Sequence, residues 1–299
     1  MATATEIQTR PAKRYTGVSR GARIVQNLTF IIPVIIIGAL IIIAIFAPLI
    51  APQDPIKQDM LNRRAPPIFM EGGTSEHILG TDNLGRDILS RLVYGGRVSL
   101  SVSLMVIFIT AAVGTVMGIA SGFLGGRTDG FLMRVTDVAM SFPPLLIAML
   151  LSVGLGPGFF TVVFALSILG WAGYSRMIRG EALRLTNSDF VAQAKVNGAS
   201  NLRIMFKHIF PNIINSLIII MTLQVGMMIL AESALSYLGI GIPAPTPSWG
   251  SMVADGRNDL GRAWWISTIP GIAIGLVVMS GNFLGDWLRD KLDPRLRQL

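Results

Sequence analysis

Residues 138–175 read VAMSFPPLLIAMLLSVGLGPGFFTVVFALSILGWAGYS, 38 positions without a charge between Asp137 and Arg176. A helix that crosses a bilayer needs about 20 predominantly apolar residues, so this stretch is too long for one span and long enough for two. Gly156-Pro157-Gly158 divides it, since Gly and Pro together favour a tight turn. The segment reads as a hairpin of helices near 136–155 and 159–176. Working outward, 30 uncharged residues separate Arg23 from Asp54 and 29 separate Arg97 from Arg127. From His208 to Ala254 only Glu232 is acidic, and the apolar run from Ile213 to Ile240 ends in a loop rich in Pro, Pro243 to Pro247. The spacing therefore predicts an all-α membrane protein of six transmembrane helices, near 28–50, 99–123, 136–155, 159–176, 213–239 and 264–286. Composition agrees: 52% of residues are hydrophobic and 14% charged, against about 25% charged in an average soluble domain. A soluble domain, a disordered chain and a disulfide scaffold are excluded, the last because the chain has no Cys.

Basic residues concentrate in cytoplasmic loops of membrane proteins. With the N-terminus inside, 17 Lys and Arg fall on the inner side and 8 on the outer. Both termini are expected to be cytoplasmic. The net charge of +8 is then a topology signal, and nucleic acid is not an expected partner, whereas membrane lipid is. The expected organisation is a cytoplasmic tail over 1–27, a first span over 28–50, an extracytoplasmic loop over 51–97, a core over 98–288 with an inner loop at 177–212, and a cytoplasmic tail over 289–299. The 23 apolar residues from Leu28 to Ile50 exceed the roughly 7 to 15 residues of a signal-peptide core, so that span is read as retained. Within the outer loop, Ile88, Leu89, Leu92 and Val93 share one helical face, which predicts a short helix lying on the membrane surface and ended by Gly95-Gly96.

Catalytic signatures are missing. None of the five Lys follows a Gly, so no phosphate-binding loop of the Gly-Lys type exists. His77 and His208 are assigned to opposite sides of the membrane and cannot share a metal. Gly17-Val18-Ser19-Arg20-Gly21 spells a nucleophile-elbow pattern but lies in a polar basic tail without a preceding strand. Gly114, Gly118 and Gly122, and again Gly271 and Gly275, recur every four residues. This spacing lets helix backbones approach, within the subunit or against a second one. Glu232 is the one ionisable residue well inside a span, about two turns from the outer interface, and is read either as a structural Glu or as a residue of a translocation path. No span holds paired carboxylates or a His chain for proton relay, so the energy for transport must come from elsewhere. The inner loop from Arg176 to Pro211 is the place to look. Gly198 there separates two short amphipathic segments that carry Val191, Leu202, Ile204, Met205, Phe206 and Ile209, an elbow of small bulk suited to a groove in another protein.

At this elbow the sequence resembles the permease subunits of ABC importers, whose signature runs E-A-A-x3-G-x9-I-x-L-P. Ala194, Gly198 and Pro211 match it, while Ala192, Gln193, His208 and Phe210 stand where that pattern has Glu, Ala, Ile and Leu. His77 to Asp87 with Ser90-Arg91 and Arg97 to Leu100, Arg134 to Asp137 with Ser141-Phe142-Pro143, and Glu232 to Gly239 followed by Pro245 to Gly250 are similar to the C-type permease subunit of the dipeptide, oligopeptide and nickel importers. The resemblance implies a type I ABC importer permease fold and half of a translocation pore. It implies as partners a homologous B-type permease, two ATPase subunits and an extracytoplasmic substrate-binding protein, with ATP and Mg held on the ATPases and no cofactor on this chain. The residues expected to dock an ATPase are Ala192, Gln193, Ala194, Lys195, Asn197, Gly198, Ala199 and Leu202. Those expected at the pore or gate are Ser141, Phe142, Pro143, Met227 and Glu232. Peptides are the expected substrate, with nickel or glutathione import as the alternative. A stand-alone carrier or channel would have Glu232 as its sole coupling residue.

Overall fold

The computed structural model describes residues 20–292, with side-chain surroundings from residue 30 onward. The expected terminal tails fall outside this range except for their inner ends, which continue the first and last helices. Among the described residues the architecture is all-α, with a single isolated bridge between Thr81 and Asp87. The main helices are α1 (Arg20–Ile45), α2 (Ile88–Leu124), α3 (Gly126–Met140), α4 (Pro144–Leu155), α5 (Phe159–Thr186), α6 (Asp189–Val196), α7 (Asn201–Tyr237), α8 (Trp249–Gly256) and α9 (Trp265–Leu292). Helices α2, α5, α7 and α9 are each long and apolar enough to cross a membrane, and α3 with α4 makes a fifth if the bent pair is one span. The described apolar part of α1, Phe30–Ile45, is shorter. It packs along α9, where the rings of Phe30 and Trp287 stack at 3.8 Å. Large apolar side chains such as Phe160, Val153 and Phe108 face outward, a surface suited to lipid or a membrane partner.

Several predicted boundaries change: the helix containing the 28–50 span ends at Ile45, that at 213–239 begins at Asn201, and that at 264–286 runs on to Leu292. Three further changes have a local reason. The surface helix expected to stop at Gly95-Gly96 instead runs on without a break as the first two turns of α2. Asp87 starts it by accepting the Ser90 N–H at 2.8 Å, a helix N-cap. The glycine pair makes room rather than ending the helix: a Cβ on Gly96 would stand 2.8 Å from the Trp249 ring. The predicted 136–155 helix is broken between α3 and α4, which meet at a 76° bend. Pro143 and Pro144 lie at the junction, and proline disfavours a helical predecessor and donates no N–H. Finally, α5 continues ten residues beyond the predicted end at 176, to Thr186. Much of the inner loop is therefore helix. A π-helical segment at Ile204–Ile209 precedes Pro211, which cannot donate to the carbonyl one turn back, and the helix widens there.

The glycine stripe of α2 packs inside the subunit. Cβ atoms on Gly114, Gly118 and Gly122 would stand 2.4 Å from Tyr174 Cβ, 2.7 Å from the Ser175 carbonyl oxygen and 2.8 Å from Ala182 Cβ. Helices α2 and α5 thus meet backbone to backbone. A Cβ on Gly271 or Gly275 of α9 would meet nothing within 4 Å among the described residues.

Candidate functional site

Helix α6 and the first turn of α7 form a compact elbow beside the Thr186 end of α5. Val191 and Ala194 of α6 and Ile204, Met205 and Ile209 of α7 are buried in one apolar cluster with Ile119, Tyr174 and Ile178. That burial anchors the elbow to α2 and α5. The turn is closed by Gly198 N–H donating to the Lys195 carbonyl and Ala199 N–H donating to the Ala194 carbonyl, both at 3.0 Å. This is a Schellman arrangement, which needs a left-handed residue at its centre, and Gly198 has φ +77°. The Ser200 hydroxyl accepts the Arg203 N–H at 3.4 Å and starts the next helix.

Of the docking residues expected from sequence, Ala192, Gln193, Lys195, Asn197, Gly198 and Leu202 are exposed, Ala199 is half-buried and Ala194 is buried. Lys195 also lies over the Phe123 ring, 5.1 Å from its centroid, and so braces the elbow against the end of α2. Two large apolar side chains flank the Gly198 turn, Val196 at 86% exposure and Leu202 at 67%. Val196 was not among the expected docking residues. Its alternation with buried Val191 and Ala194 along α6 was the available signal.

Helix α3 is tied to α5 by ion pairs that sequence reasoning did not connect. Arg179 donates through Nε and Nη2 to the two oxygens of Asp129, both at 2.6 Å, and the Ser121 hydroxyl of α2 reaches the same carboxylate. Arg176 pairs with Asp137 at 2.5 Å, one turn before the α3–α4 break. The gate candidates at that break, Ser141, Phe142 and Pro143, are exposed, as is Met227 on α7. Glu232 is different: it is fully buried, and its carboxylate accepts the Ser236 hydroxyl at 2.8 Å. The Ser233 hydroxyl lies 3.5 Å from its other oxygen. It sits inside the subunit between α2, α7 and the start of α8.

The outer segment folds beneath α8 and α9. The Trp265 indole N–H donates to the Thr81 carbonyl at 3.1 Å. Arg86 pairs with Asp82 at 2.6 Å and with Asp255 at 3.0 Å, and Arg91 reaches the same two carboxylates at 3.4 and 3.2 Å. Two cations against two anions let this cluster sit largely buried. Burial raises the Asp255 carboxyl above its ordinary value, against the opposing pull of Arg91 and Arg86. Nearby, the Asn62 amide and the Leu61 N–H hold the exposed Asp59 carboxyl below the usual range. Arg86 and Arg91 had entered the sequence reading as topology charges and within the 77–91 motif, but Asp255 had not entered it, since it lies 169 and 164 residues from them.

Residues 114–298 match the family model described as binding-protein-dependent transport system inner membrane component, and residues 22–67 match the N-terminal transmembrane domain of oligopeptide transport permease C. The chain is 41% identical to a di/tripeptide transport system permease protein, DppC, of Pseudomonas aeruginosa (strain UCBPP-PA14), over 85% of this chain and 84% of that one. It is 40% identical to an oligopeptide transport system permease protein, OppC, of Bacillus subtilis (strain 168), over 91% of this chain and 88% of that one. A dipeptide transport system permease protein, DppC, of the same Bacillus strain is 38% identical over 97% of this chain and 88% of that one.

Proposed function

Because this chain belongs to the family of binding-protein-dependent transport system inner membrane components, as a multi-pass, non-catalytic permease subunit, we propose that it imports di- or oligopeptides as half of an ATP-driven pore. The named activities of the relatives support peptides over nickel or glutathione. The proposed partners are a homologous B-type permease, two ATPases that hold ATP and Mg, and an extracytoplasmic binding protein. Six spans are assigned to α1, α2, the bent α3–α4 pair, α5, α7 and α9, with both termini cytoplasmic, the first span over 28–50, the outer loop over 51–97 and the core over 98–288.

The observation that carries this reading is the inner elbow. Exposed Val196 and Leu202 beside a left-handed Gly198 form an apolar knob on a face otherwise rich in Lys and Arg. Burying such a side chain in a partner is worth about 1.5 to 3 kcal/mol. Residues 192–202 are assigned to an ATPase groove, so that closure of the two ATPases moves the elbow and, through α7 and α5, the spans. A rigid-body switch of this kind is biased by ATP bound outside the chain.

Reconstitution tests it. The chain, its partner permease and the ATPases in proteoliposomes are expected to accumulate a labelled dipeptide only with ATP inside and binding protein outside. Unlabelled peptides should compete, and glutathione or nickel chelates should not. Uptake by this chain alone, or competition by nickel and not by peptide, would overturn the corresponding part of the proposal.

A further inference from the structure

Glu232 is the one acidic residue of α7 and has no exposure to solvent. Its neighbours are hydroxyls, and those hydroxyls face two ways. Ser236 Oγ donates to Glu232 Oε1 at 2.8 Å and accepts the Ile242 N–H at 3.3 Å. Ser233 Oγ lies 3.5 Å from Glu232 Oε2. Next to this pair, Ser99 Oγ of α2 accepts the Trp249 N–H at 3.3 Å, and Ser248 Oγ accepts the Ser251 N–H and donates to Ser251 Oγ, both at 3.3 Å. A serine hydroxyl has one hydrogen, so accepting from the backbone leaves that of Ser236 free to point at the carboxylate. Ser236 thereby relays the Ile242 N–H of the outer loop to a side chain of α7, while Ser99 ties the start of α8 to α2. Close packing follows the same line: a Cβ on Gly250 would stand 2.4 Å from the Ser233 carbonyl oxygen.

We propose that Glu232 is a positioning residue which, through Ser236, holds the 240–248 loop, and with it the start of α8 that Ser99 ties to α2, against the outer ends of α2 and α7 and so shapes the mouth that meets loaded binding protein. The part concerning binding protein rests on the importer reading above; the part concerning the loop does not. Gln has the size of Glu but puts an NH2 where a carboxylate oxygen accepts. In Glu232→Gln one amide oxygen replaces two accepting oxygens, so Ser236 or Ser233 loses its acceptor, and a turned Ser236 hydroxyl releases the Ile242 N–H. Asp keeps both accepting oxygens on a shorter stem.

Two measurements on the assembled complex in nanodiscs decide it. The first is labelling by an impermeant thiol reagent, read on this chain, which has no native Cys. Ile242→Cys, at a position 7% exposed, should react slowly in the parent and about tenfold faster with Glu232→Gln, as local opening of the loop becomes easier. Thr246→Cys, at an exposed position, should react fast in both. The second is ATP turnover with and without loaded binding protein. Glu232→Gln and, to a smaller extent, Ser236→Ala should assemble normally and keep basal turnover but lose most of the stimulation, with partial recovery in Glu232→Asp. Unchanged labelling of Ile242→Cys in the Gln variant would overturn the proposal, as would a loosened loop with full stimulation. A parent complex that ignores binding protein would count against the importer reading, and the labelling would still decide whether Glu232 holds the loop.

Discussion

Replacing Gly114 by Ala adds one methyl group to the seam where α2 and α5 touch. That methyl would stand 2.4 Å from Tyr174 Cβ, 2.5 Å from the Trp171 carbonyl oxygen and 3.0 Å from the Ser175 N. Two of these three atoms belong to the α5 backbone and cannot swing aside as a side chain would. The helices must part by about 1 Å to reach ordinary contact distances of about 3.5 to 4 Å, and overpacking of this kind costs about 1 to 3 kcal/mol. Ala opposes part of the loss, since it is favoured over Gly in a helix by about 1 kcal/mol. The net expectation is a loss of about 0 to 2 kcal/mol, or a fall of up to several degrees in the thermal transition at roughly 2 to 4 °C per kcal/mol. Gly180→Ala on α5, where nothing lies within 4 Å, keeps only the helical gain and should stay level or rise. Gly118→Ala added to Gly114→Ala should cost less than it does alone, because the seam is already open. Unfolding followed by tryptophan fluorescence in detergent measures the parent, the three single variants and the double variant. A Gly114→Ala transition that matches or exceeds that of Gly180→Ala would refute the close α2–α5 approach.

The outer half offers a second test: Trp249 is 1% exposed, donates to the Leu92 carbonyl at 2.9 Å and fills the space left by Gly95 and Gly96. Trp249→Ala should cost about 3 to 5 kcal/mol, and pulse proteolysis in membranes should find the chain cleaved much earlier than the parent; equal resistance would contradict the packing. Topology is open to single-cysteine labelling. Glu71→Cys should react with an impermeant reagent in intact cells or spheroplasts and Asn197→Cys only after lysis, and the reverse pattern would invert the assigned orientation.

What the sequence disclosed and what it concealed follow from the range of the forces involved. A bilayer excludes charge over some 30 Å, and the gaps at 24–53, 98–126 and 138–175 record that exclusion directly. The end of a charge-free run does not end a helix, however, so α5 runs ten residues past Arg176 and the inner loop proves largely helical. Gly95-Gly96 is ambiguous on local grounds, because glycine both stops helices and admits neighbours. Its neighbour Trp249 lies about 150 residues away. The Pro143-Pro144 pair stands in plain view, yet the charge-free run around it reads as one helix over 136–155, which conceals that α3 and α4 diverge by 76°. Gly198 was easier, since the turn it closes is made by hydrogen bonds within five residues. The Arg86, Arg91, Asp82 and Asp255 cluster joins remote segments, and nothing near Arg86 announces Asp255.

The central claim is that the elbow at Gly198 transmits ATPase motion to the spans, and Gly198→Val addresses it most directly. Gly198 has φ +77° and, among the described residues, nothing within 4 Å of its Cβ position, so on this account the added bulk meets the docked ATPase. Backbone strain adds about 1 to 2 kcal/mol for a non-Gly residue in the left-handed region. Asn tolerates that region better, which separates the two effects: Gly198→Asn keeps the turn and retains the bulk. The measurement is substrate uptake per ATP hydrolysed in the reconstituted complex. The account predicts that both variants insert and pair with the second permease, that Gly198→Val loses most of its uptake, and that Gly198→Asn falls well below the parent. A Gly198→Val complex that keeps its ATPases and transports at the parental ratio would contradict the coupling role of the elbow.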